Sequence, residues 1–580
     1  MEEKTTTYAL VNDPEELPKV ATALEAAEAI GTDTETTSLS PRDGRARLLQ
    51  LALPEQTFVI DLFEVEDISS LKGVLEDGPV KVFHNAKFDY QFLKELHDIS
   101  VAPIFDTMLA AQVLDGGRQG AAYGLDAVAE RYLDEVPDKS EQRSDWSGDL
   151  SGRQLEYAAR DAAVLLPLRE KLLEALEAEE LVRVSKIEFA AVSSIAEMEL
   201  AGVKLDVARW KELEKTVRKR RDEAAIALEA HFPEPEGVLP LEGLGPRLNL
   251  NSPQQITDAF RSIGIELADT KVWTLLKVDH PAAKDLLRYR ELQKKLGTYL
   301  ETYPKFIHPK TGRIHASFLQ CRVPTGRLAC ANPNIQQIPH EEEFRRCFVA
   351  EEGYTFAIAD YSQIELRILA EVSGDPAFVD AFQKGEDLHS LTAATMYGVP
   401  MEEVTKDQRS DAKRINFGLM YGRGAKSLSA QLGTDEARGR QLIDEYFANY
   451  PKVQRFLQRT ANRATRDRTL RTLAGRVRKF GNDPVEDDRG AMRREAMNYP
   501  IQGSSADIAK LALAYMRQDL EGLDARLVNS IHDEFVVECR EDLSGEVSEK
   551  MRGAMTRAGE RILEKVPVEV EVTVSREWTK

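Results

Sequence analysis

The chain has 580 residues, of which 42% are hydrophobic and 30% charged, and its formal net charge is −21. That length exceeds a single ordinary core, because a domain averages roughly 150 residues, so we expect several structural units. The lack of long apolar runs, of a basic-then-apolar N-terminal signal and of C-x-x-C pairs argues against membrane, secreted and zinc-finger proteins. We therefore expect a cytoplasmic protein with reduced thiols.

The first 185 residues read as an α/β domain. Four strand-like pieces, "EAIGTDTET", "RLLQLAL", "TFVIDL" and "VKVFH", alternate with helical segments. Short strands interspersed with helices are typical of a sheet covered by helices.

Acidic residues in this domain come in three short motifs. Asp33 and Glu35 lie two residues apart on one strand, so both carboxylates leave the same face. Asp89 follows a later strand, and Tyr157 and Asp161 have the i, i+4 spacing of one helix face. Clustered carboxylates repel each other unless a cation lies between them, and hard oxygen ligands suit Mg²⁺ or Mn²⁺. Helix caps and strand ends would explain each acid singly, but not the whole set.

These motifs, D-x-E, then N-x-x-x-D from Asn85, then Y-x-x-x-D, resemble those of the DEDD-type 3′→5′ exonucleases. The resemblance implies an RNase H-like exonuclease domain over residues 1–185. It also implies a two-metal phosphodiesterase site. In that site the metal ligands would be Asp33, Glu35, Asp89 and Asp161, and Tyr157 would orient the attacking water.

Residues from 186 to about 305 are dominated by helical periodicity, which the Pro/Gly-rich stretch 233–253 interrupts. Beyond this helical unit, strand-like pieces flank long helices. We therefore predict an α+β organisation for the C-terminal part.

A basic stretch runs from 452 to 479, where Asp467 is the only acid. Four of its arginines share one helical face: Arg455, Arg459, Arg463 and Arg466. A solvated helix face is the ordinary explanation. We favour a phosphate-binding track, because a one-sign excess repels itself unless a polyanion lies against it.

A second group of acids is spread over residues 360 to 534. Asp360 ends the apolar run "TFAIAD", where a carboxylate is costly unless it is bound. The "SIHDEF" segment lies between two strand-like stretches, and we predict a hairpin whose turn holds Asp533 and Glu534. Asp360 and this turn together would supply the carboxylates of a two-metal site.

The helix "QRSDAKRINFGLMYG" carries two cations and two aromatics four residues apart: Arg409, Lys413, Phe417 and Tyr421. This order matches a nucleotide laid along the helix, with phosphates at one end and the base at the other. An amphipathic helix with buried aromatics is the alternative. Gly418 and Gly422, which weaken a helix, indicate that something approaches closely.

The segments "DYSQIELR", "RSDAKRINFGLMYG" and "SIHDEF" resemble motifs A, B and C of the family A DNA polymerases. Four more are similar to other blocks of that family: "PTGRLACANPNIQQIP", "DLHSLTAATMYG", "RTLAGRVRKF" and "RREAMNYPIQGSSADIAK". The resemblance implies a right-hand polymerase domain over 186–580. Its subdomains would be a thumb at about 200–305, a palm at about 306–375 and 485–580, and fingers at about 376–484.

The resemblance also implies roles for individual residues. Asp360 and Asp533 would bind two Mg²⁺ ions, with Mn²⁺ as a substitute, and Glu534 is a further candidate catalytic acid. The incoming dNTP would be contacted by Gln363, Glu365, His389, Arg409, Lys413, Phe417 and Tyr421. Of these, Arg409, Lys413 and His389 would neutralise phosphates, Lys413 would also donate a proton to pyrophosphate, and Glu365 would occupy the space of a ribose 2′-hydroxyl. Primer–template DNA would be contacted by Arg327, Arg476, Arg494, Asn498, Gln502 and His532.

The implied function is DNA-dependent DNA synthesis with proofreading, in replication, repair or both. A single-subunit RNA polymerase is a second hypothesis, and Glu365 and the complete exonuclease set argue against it. A DNA-binding scaffold with degenerate sites is a third, and the presence of every named carboxylate argues against it.

The sequence departs from the family pattern after "TGRL", where Ala329 and Cys330 replace the usual small hydroxyl residues. The family's 5′-nuclease domain is not found in these 580 residues, so we expect no flap removal by this chain. The thumb range lacks room for a processivity-factor loop, and we expect a monomer without a clamp partner.

Overall fold

The structure, a computed structural model, describes residues 7–118, 120–135, 141, 144–233, 248–481 and 489–579. The chain divides into two compact units. The first comprises Met1–Ala201, Ser317–Ala331 and Ala357–Val574, and the second comprises Gly202–Ala316, Asn332–Phe356 and Ser575–Lys580. Most of the Pro/Gly-rich stretch predicted at 233–253 lies outside the described residues.

The strands are β1 (Tyr8–Val11), β2 (Ala29–Thr36), β3 (Ala46–Ala52), β4 (Thr57–Asp61), β5 (Val80–Phe83), β6 (Ile104–Asp106), β7 (Val203–Lys204), β8 (Arg313–Ile314), β9 (Ser317–Leu319), β10 (Ala329–Ala331), β11 (Tyr354–Tyr361), β12 (Thr469–Arg471), β13 (Val477–Lys479), β14 (Ala525–Ile531), β15 (Glu534–Arg540) and β16 (Val570–Ser575).

The α-helices are α1 (Leu17–Glu25), α2 (Lys72–Glu76), α3 (Ala86–His97), α4 (Thr107–Asp115), α5 (Leu125–Leu133), α6 (Gly152–Ala178), α7 (Val182–Ala201), α8 (Val207–Glu229), α9 (Pro253–Ser262), α10 (Val272–Leu275), α11 (Pro281–Lys294), α12 (Glu342–Arg345), α13 (Ile364–Ser373), α14 (Pro376–Gln383), α15 (Leu388–Tyr397), α16 (Lys406–Met420), α17 (Ala425–Leu432), α18 (Glu436–Asn449), α19 (Pro451–Asp467), α20 (Arg489–Leu520) and α21 (Ser544–Glu560). Short 3₁₀ helices lie at Pro14–Glu16, Ser69–Leu71, Tyr303–Phe306, Ile335–Gln337, Met401–Glu403 and Glu541–Leu543, and a π-helix lies at Lys295–Leu300.

The first unit begins with a six-stranded mixed sheet of order β1-β4-β3-β2-β5-β6. Strand β3 runs antiparallel to both of its neighbours, whereas β1–β4, β2–β5 and β5–β6 are parallel pairs. All residues of β3 are buried, because the sheet is covered on both faces around it. The four strands predicted here form as β2 to β5, which confirms the α/β prediction.

Helix α6 packs against β2, and Gly31 permits its close approach. A Cβ added at Gly31 would lie 2.1 Å from the carbonyl oxygen of Ala162 on α6. Gly31 lies two residues before Asp33, and Ala162 directly follows Asp161. The absence of a side chain at Gly31 therefore sets how close the helix acid lies to the strand acids.

A second sheet in the first unit has the order β14-β15-β11-β16, so its strands come from distant parts of the chain. Strands β14 and β15 form the predicted hairpin, with Ile531 opposite Glu534. The turn is therefore His532–Asp533, and His532 takes the positive φ, 58°, that tight hairpin turns require. The prediction that Glu534 lies in the turn is wrong, since Glu534 begins β15 and is 2% exposed.

A buried ionic cluster joins three elements of the first unit. Glu188 on α7 accepts from Arg476 and Lys510 at 2.5 and 2.6 Å, and Arg476 also pairs with Asp507 at 2.7 Å. All four side chains are almost fully buried, so removal of one would leave an uncompensated charge in the interior. We call Glu188, Arg476, Asp507 and Lys510 the ionic cluster.

The second unit, which holds most of the predicted thumb, has an aromatic core around Trp210 of α8. The indole stacks on Tyr303 and meets Phe344 and Phe348 edge-on, with centroid distances of 5.8 to 6.0 Å. Its Nε1 donates to the carbonyl oxygen of Leu300 at 2.9 Å, which satisfies the one polar atom of a fully buried ring.

Within the ranges given above, no helix is both long and apolar enough to cross a membrane. No disulfide forms among the four cysteines, all of which lie in described parts of the chain.

Replacement of Gly31 by alanine is expected to lower the free energy of unfolding of the N-terminal sheet by about 1–3 kcal/mol, because the added Cβ meets backbone that cannot move alone. Gly73→Ala in α2 is the matched control, since a Cβ there meets nothing within 4 Å. Thermal and denaturant unfolding of the full chain measure both. Equal stability of the two variants would contradict the close packing of α6 on β2.

Candidate active sites

The first candidate site lies at the strand ends of the six-stranded sheet. Asp33 and Glu35 alternate with buried Thr32 and Thr34 along β2, as predicted. Asp89 lies in the first turn of α3, which follows parallel neighbour β5, and the Thr34 hydroxyl donates to its Oδ1 at 2.6 Å. Two elements adjacent in the sheet thus bring three acids together.

Helix α6 supplies the remaining predicted residues, Tyr157 and Asp161, both of which are nearly buried. The phenol of Tyr157 shares a hydrogen bond with Asp161, and burial together with that carboxylate raises the pKa of Tyr157. Tyr157 therefore remains a hydroxyl donor at neutral pH.

The four carboxylates of this site strongly disfavour one another's ionisation. Burial, followed by the charges of Asp161 and Asp89, raises the pKa of Glu35 to about 9. Burial raises the pKa of Asp89 to about 7, although the Thr34 hydroxyl acts in the opposite direction. The pKa of Asp33 is raised well above its usual range by burial and then by Asp89, Glu35 and Asp161. We call Asp33, Glu35, Asp89 and Asp161 the acidic quartet.

The acidic quartet fits a hard divalent cation, since it offers only oxygen donors and carries negative charge that a cation would offset. In the part of the chain that the structure describes, no three His, Cys, Asp or Glu side chains already form a metal-binding group. The acids are thus close enough to raise one another's pKa, but their side chains are not arranged as a coordination shell.

Asp106, which sequence reasoning missed, positions this site. Its carboxylate caps α4 by accepting from the Leu109 N–H at 3.0 Å, and it also accepts from the Ala86 N–H, at the start of α3, at 2.8 Å. It is 1% exposed, and burial raises its pKa to about 6 against these backbone donors. Its signal in the sequence was an acid at the end of the short strand "IFD", directly before a helix.

The second candidate site lies at the end of β11 in the four-stranded sheet. Asp360 is the penultimate residue of this strand, and Asp533 is in the β14–β15 turn. The Tyr361 N–H donates to the Asp533 carbonyl oxygen at 3.3 Å, so the two acids come together as predicted. Both remain partly exposed, whereas neighbouring His532 is exposed and Glu534 is buried.

Glu365, at the start of α13, has partners on two sides. Arg327 Nη2 lies 2.5 Å from its Oε1, and the Tyr421 hydroxyl donates to its Oε2 at 2.6 Å. Burial and then Glu365 raise the pKa of Tyr421, and Gln502 also bonds to that hydroxyl. Four predicted site residues therefore form one network.

Asp387, which sequence reasoning did not single out, gathers three predicted nucleotide contacts. Arg409 Nε lies 2.5 Å from its Oδ2, and Gln363 Nε2 and the His389 N–H donate to its Oδ1 at 3.3 and 3.1 Å. Its signal was the helix-cap position before "LHS", since Asp387 caps α15. Lys413, one turn beyond Arg409 on α16, is exposed.

His389 differs from its predicted role as a phosphate-neutralising cation. It is 2% exposed, and burial lowers its pKa to about 4 despite the opposing charge of Asp387. Asn416 Nδ2 lies 3.1 Å from its Nδ1, which makes Nδ1 the acceptor and leaves the proton on Nε2. His389 is therefore a neutral hydrogen-bond donor at physiological pH.

The predicted face of α16 forms, with Phe417 and Tyr421 stacked at a centroid distance of 6.2 Å. Within the protein, an added Cβ at Gly418 would meet only ordinary contacts at 3.5 Å or more. Gly422 has a positive φ of 69° where the chain leaves the helix, and α20 approaches it closely, since an added Cβ would lie 3.1 Å from Met497 Sδ.

Helix α20 carries Arg494, Asn498 and Gln502 four residues apart, all at least partly exposed. Arg476 is different: it is 4% exposed and both of its ionic partners are buried. The prediction that Arg476 contacts DNA is therefore corrected, because its charge is fully used within the ionic cluster.

The basic stretch is also divided by the structure. The predicted arginine face forms on α19 and is exposed, comprising Arg455, Arg459, Arg463 and Arg466. Arg478, like Arg476, is buried, and it pairs with Glu495 at 2.8 Å. The exposed arginines of α19 are therefore available to a polyanion, whereas Arg476 and Arg478 are not.

A sheet with strand-end carboxylates, a basic and aromatic helix, and an α/β region with its own cluster of carboxylates define a nucleic-acid polymerase with its own nuclease. Residues 240–580 match the family described as DNA polymerase family A, and residues 8–177 match that described as 3′-5′ exonuclease. The chain belongs to the family A DNA polymerases and carries a 3′→5′ exonuclease domain. It is a DNA-directed DNA polymerase that performs template-directed synthesis with proofreading.

Relatives of known name agree with this assignment. DNA polymerase I of Aquifex aeolicus is 36% identical over 99% of this chain and 100% of its own length. DNA polymerase I of Pseudomonas aeruginosa is 35% identical over 96% of this chain, which spans 64% of that relative. A solved structure, the POL domain of Pol1 from M. smegmatis in complex with DNA primer-template and dNTP, aligns over 98% of this chain and 99% of its own with a TM-score of 0.82 and 29% identity.

A prediction follows from the neutral state of His389. His389→Ala loses a hydrogen bond, and we expect its KM for dNTP to rise by about two- to ten-fold. His389→Gln retains a neutral donor, so its KM should rise less. The ratio of native to His389→Gln activity should stay constant between about pH 6 and 8, because a pKa of about 4 lies below that window.

Steady-state primer extension across this pH range measures the ratio. A ratio that grows as the pH falls through about 6.5, the ordinary histidine pKa, would show that His389 becomes a cation and would contradict the assignment.

Proposed function

We propose that Asp360 and Asp533 hold two Mg²⁺ ions, which Mn²⁺ can replace, at the site where the primer is extended. The observation that carries this proposal is the Tyr361 N–H to Asp533 carbonyl bond, which joins the backbone segments of two acids that lie more than 170 residues apart in sequence. The bound ions would lower the pKa of the primer 3′-hydroxyl and offset charge on the triphosphate. Glu534, which is buried at the start of β15, is a further candidate catalytic acid in this proposal.

The nucleotide lies along α16 in this proposal. Arg409 and Lys413 meet the phosphates, and Lys413, which is exposed, donates a proton to the departing pyrophosphate. Neutral His389 adds a hydrogen bond from Nε2. Phe417 abuts the sugar, Tyr421 lies near the templating base, and Glu365 fills the space of a 2′-hydroxyl.

The acidic quartet holds two further divalent ions for removal of the 3′-terminal nucleotide. Tyr157 keeps its proton and orients the attacking water, which its raised pKa supports. The mutual repulsion of the four carboxylates favours this role, since bound cations offset it.

Duplex DNA is read by side chains that report pairing shape and not base identity. Arg327, Arg494, Asn498 and Gln502 would face the minor groove, where the N3 and O2 acceptors recur in every base pair. His532 would border the primer end, and the exposed arginines of α19 would follow the phosphate backbone.

In the cell, we propose that the chain acts as a monomer without a processivity clamp in a bacterial or phage-infected cytoplasm, in replication, repair or both. A frayed, mispaired primer end would move as a single strand from the second candidate site, where synthesis occurs, to the acidic quartet. Its capture would depend on stacking and on metal contacts more than on base identity.

Single substitutions should separate the two activities. We expect Asp360→Asn to reduce dNTP incorporation by more than about 100-fold, since even outer-shell partners of metal ligands contribute 10–100-fold, while 3′-end hydrolysis persists. Asp33→Ala should have the converse effect. Primer extension and hydrolysis of a labelled single strand measure the two activities.

The exposed helix-cap variant Asp13→Asn, remote from both sites along the chain, is the control and should leave both activities unchanged. Loss of synthesis and hydrolysis together in either Asp360→Asn or Asp33→Ala would contradict the assignment of two sites.

A further inference from the structure

We propose that Asp387 is a positioning residue that occupies the place of a phosphate on Arg409 and competes there with the triphosphate of the incoming nucleotide. This inference rests on the proposed function, which assigns Arg409, Gln363 and His389 to the nucleotide. It goes beyond that function because Asp387 has no part in the proposed chemistry.

The first observation is the set of donors around the Asp387 carboxylate. Oδ2 accepts from Arg409 Nε at 2.5 Å and from the Ser390 hydroxyl at 2.8 Å. Oδ1 accepts from Gln363 Nε2 at 3.3 Å and from the His389 N–H at 3.1 Å. A guanidinium, a carboxamide, a hydroxyl and a backbone N–H at a helix N-terminus form the kind of donor set that phosphate oxygens bind.

The second observation is that these donors come from different parts of the site. Gln363 lies three residues beyond Asp360, in a left-handed conformation with φ of 54°, and Arg409 lies on α16. Asp387 therefore ties α16 to the segment that follows β11. Burial alone would raise the pKa of Asp387, but the hydrogen bonds from Arg409 and Ser390 lower it, so it is ionised.

The third observation is the contrast between Arg409 and Lys413. The Arg409 and Asp387 side chains are 45% and 30% exposed, so water and ions reach the pair. Lys413, one turn along the same face, is exposed and forms no ion pair with any residue that the structure describes. A triphosphate can meet Lys413 first and then displace Asp387 from Arg409.

Exchange of one anion for another on Arg409 has a direct thermodynamic consequence. Asp387 holds the Nε of Arg409 and therefore competes with a phosphate for this guanidinium, so the free energy of the ion pair is subtracted from nucleotide affinity wherever the phosphate takes that position. The same ion pair re-forms when pyrophosphate leaves, which favours product release. Removal of the Asp387 charge should therefore tighten the binding of both dNTP and pyrophosphate.

The test is a double-mutant cycle on the full chain with primer–template DNA. Asp387→Asn and Asp387→Ser keep a side chain that caps α15 but remove the charge. We expect each to lower the Kd for dNTP by about two- to five-fold, the range of a partly exposed ion pair, with little change in the maximal rate of incorporation. The inhibition constant of pyrophosphate should fall by a similar factor.

The effect must disappear in an Arg409→Ala background, because the exchange then has no guanidinium to release. Asp435→Asn is the matched control: Asp435 caps α18, accepts from the Arg438 N–H at 2.8 Å, and should leave dNTP affinity unchanged.

The outcomes separate this inference from the proposed function. If Arg409→Ala weakens dNTP binding but neither Asp387 variant tightens it, Asp387 does not compete with phosphate and the inference is overturned. Tightening that persists in the Arg409→Ala background would also overturn it. If Arg409→Ala leaves dNTP affinity unchanged, the proposed nucleotide site itself is wrong.

Discussion

Both sites depend on carboxylates that the fold holds beside other carboxylates. In the acidic quartet, burial and then the charges of Asp161 and Asp89 raise the pKa of Glu35 to about 9, and burial raises that of Asp89 to about 7. A carboxyl group whose folded pKa is raised destabilises the fold progressively as the pH increases from its unfolded pKa towards the folded one. For Glu35 this interval runs from 4.5 to about 9, so the penalty is substantial at neutral pH. A bound cation would offset it.

The surrounding structure holds these acids in place with contacts that do not use the acids' own charges. Gly31 allows α6 to approach β2, Asp106 caps the start of α3, and the Tyr361 N–H anchors the Asp533 turn. Each of these is a backbone constraint. The positions of the carboxylates therefore follow from chain packing, and they persist although the acids repel one another.

Helix α7 connects the elements that carry the two sites. Glu199 pairs with Lys87 of α3 at 2.6 Å and accepts from the Phe318 N–H at 2.5 Å. Glu197 accepts from the Tyr90 hydroxyl of α3 at 2.5 Å and pairs with Arg517 of α20 at 3.0 Å. Helix α3, which carries Asp89, and helix α20, which is proposed to contact DNA, are therefore both bonded to α7. These bonds fix the position of α3 relative to α20.

The sequence alone predicted the elements whose signal is local. Strand alternation located Asp33 and Glu35, the four-residue repeat of α16 identified its nucleotide face, and the segment "SIHDEF" indicated the hairpin. Burial set by distant chain segments could not be predicted. Arg476 looked like part of a basic surface, because its partners Glu188 and Asp507 are far away in sequence.

His389 and Glu534 show that motif resemblance also does not predict burial or strand position. Motif resemblance located both beside the site, but the charge of His389 depends on how deeply it is buried, and the strand position of Glu534 depends on a turn of only two residues. Asp106 and Asp387 were missed because each resembles an ordinary helix cap, and only their additional partners reveal a further role.

The acidic quartet destabilises the fold, and a divalent cation offsets this cost. The most direct test compares the first unfolding transition of the native chain with those of Asp33→Asn and Glu35→Gln, in chelator and in Mn²⁺, at about pH 8. We predict that both variants unfold at a higher temperature than the native chain in chelator, that this difference shrinks as the pH falls towards 4.5, and that Mn²⁺ stabilises the native chain most. A native chain that is already the most stable of the three in chelator would contradict the account.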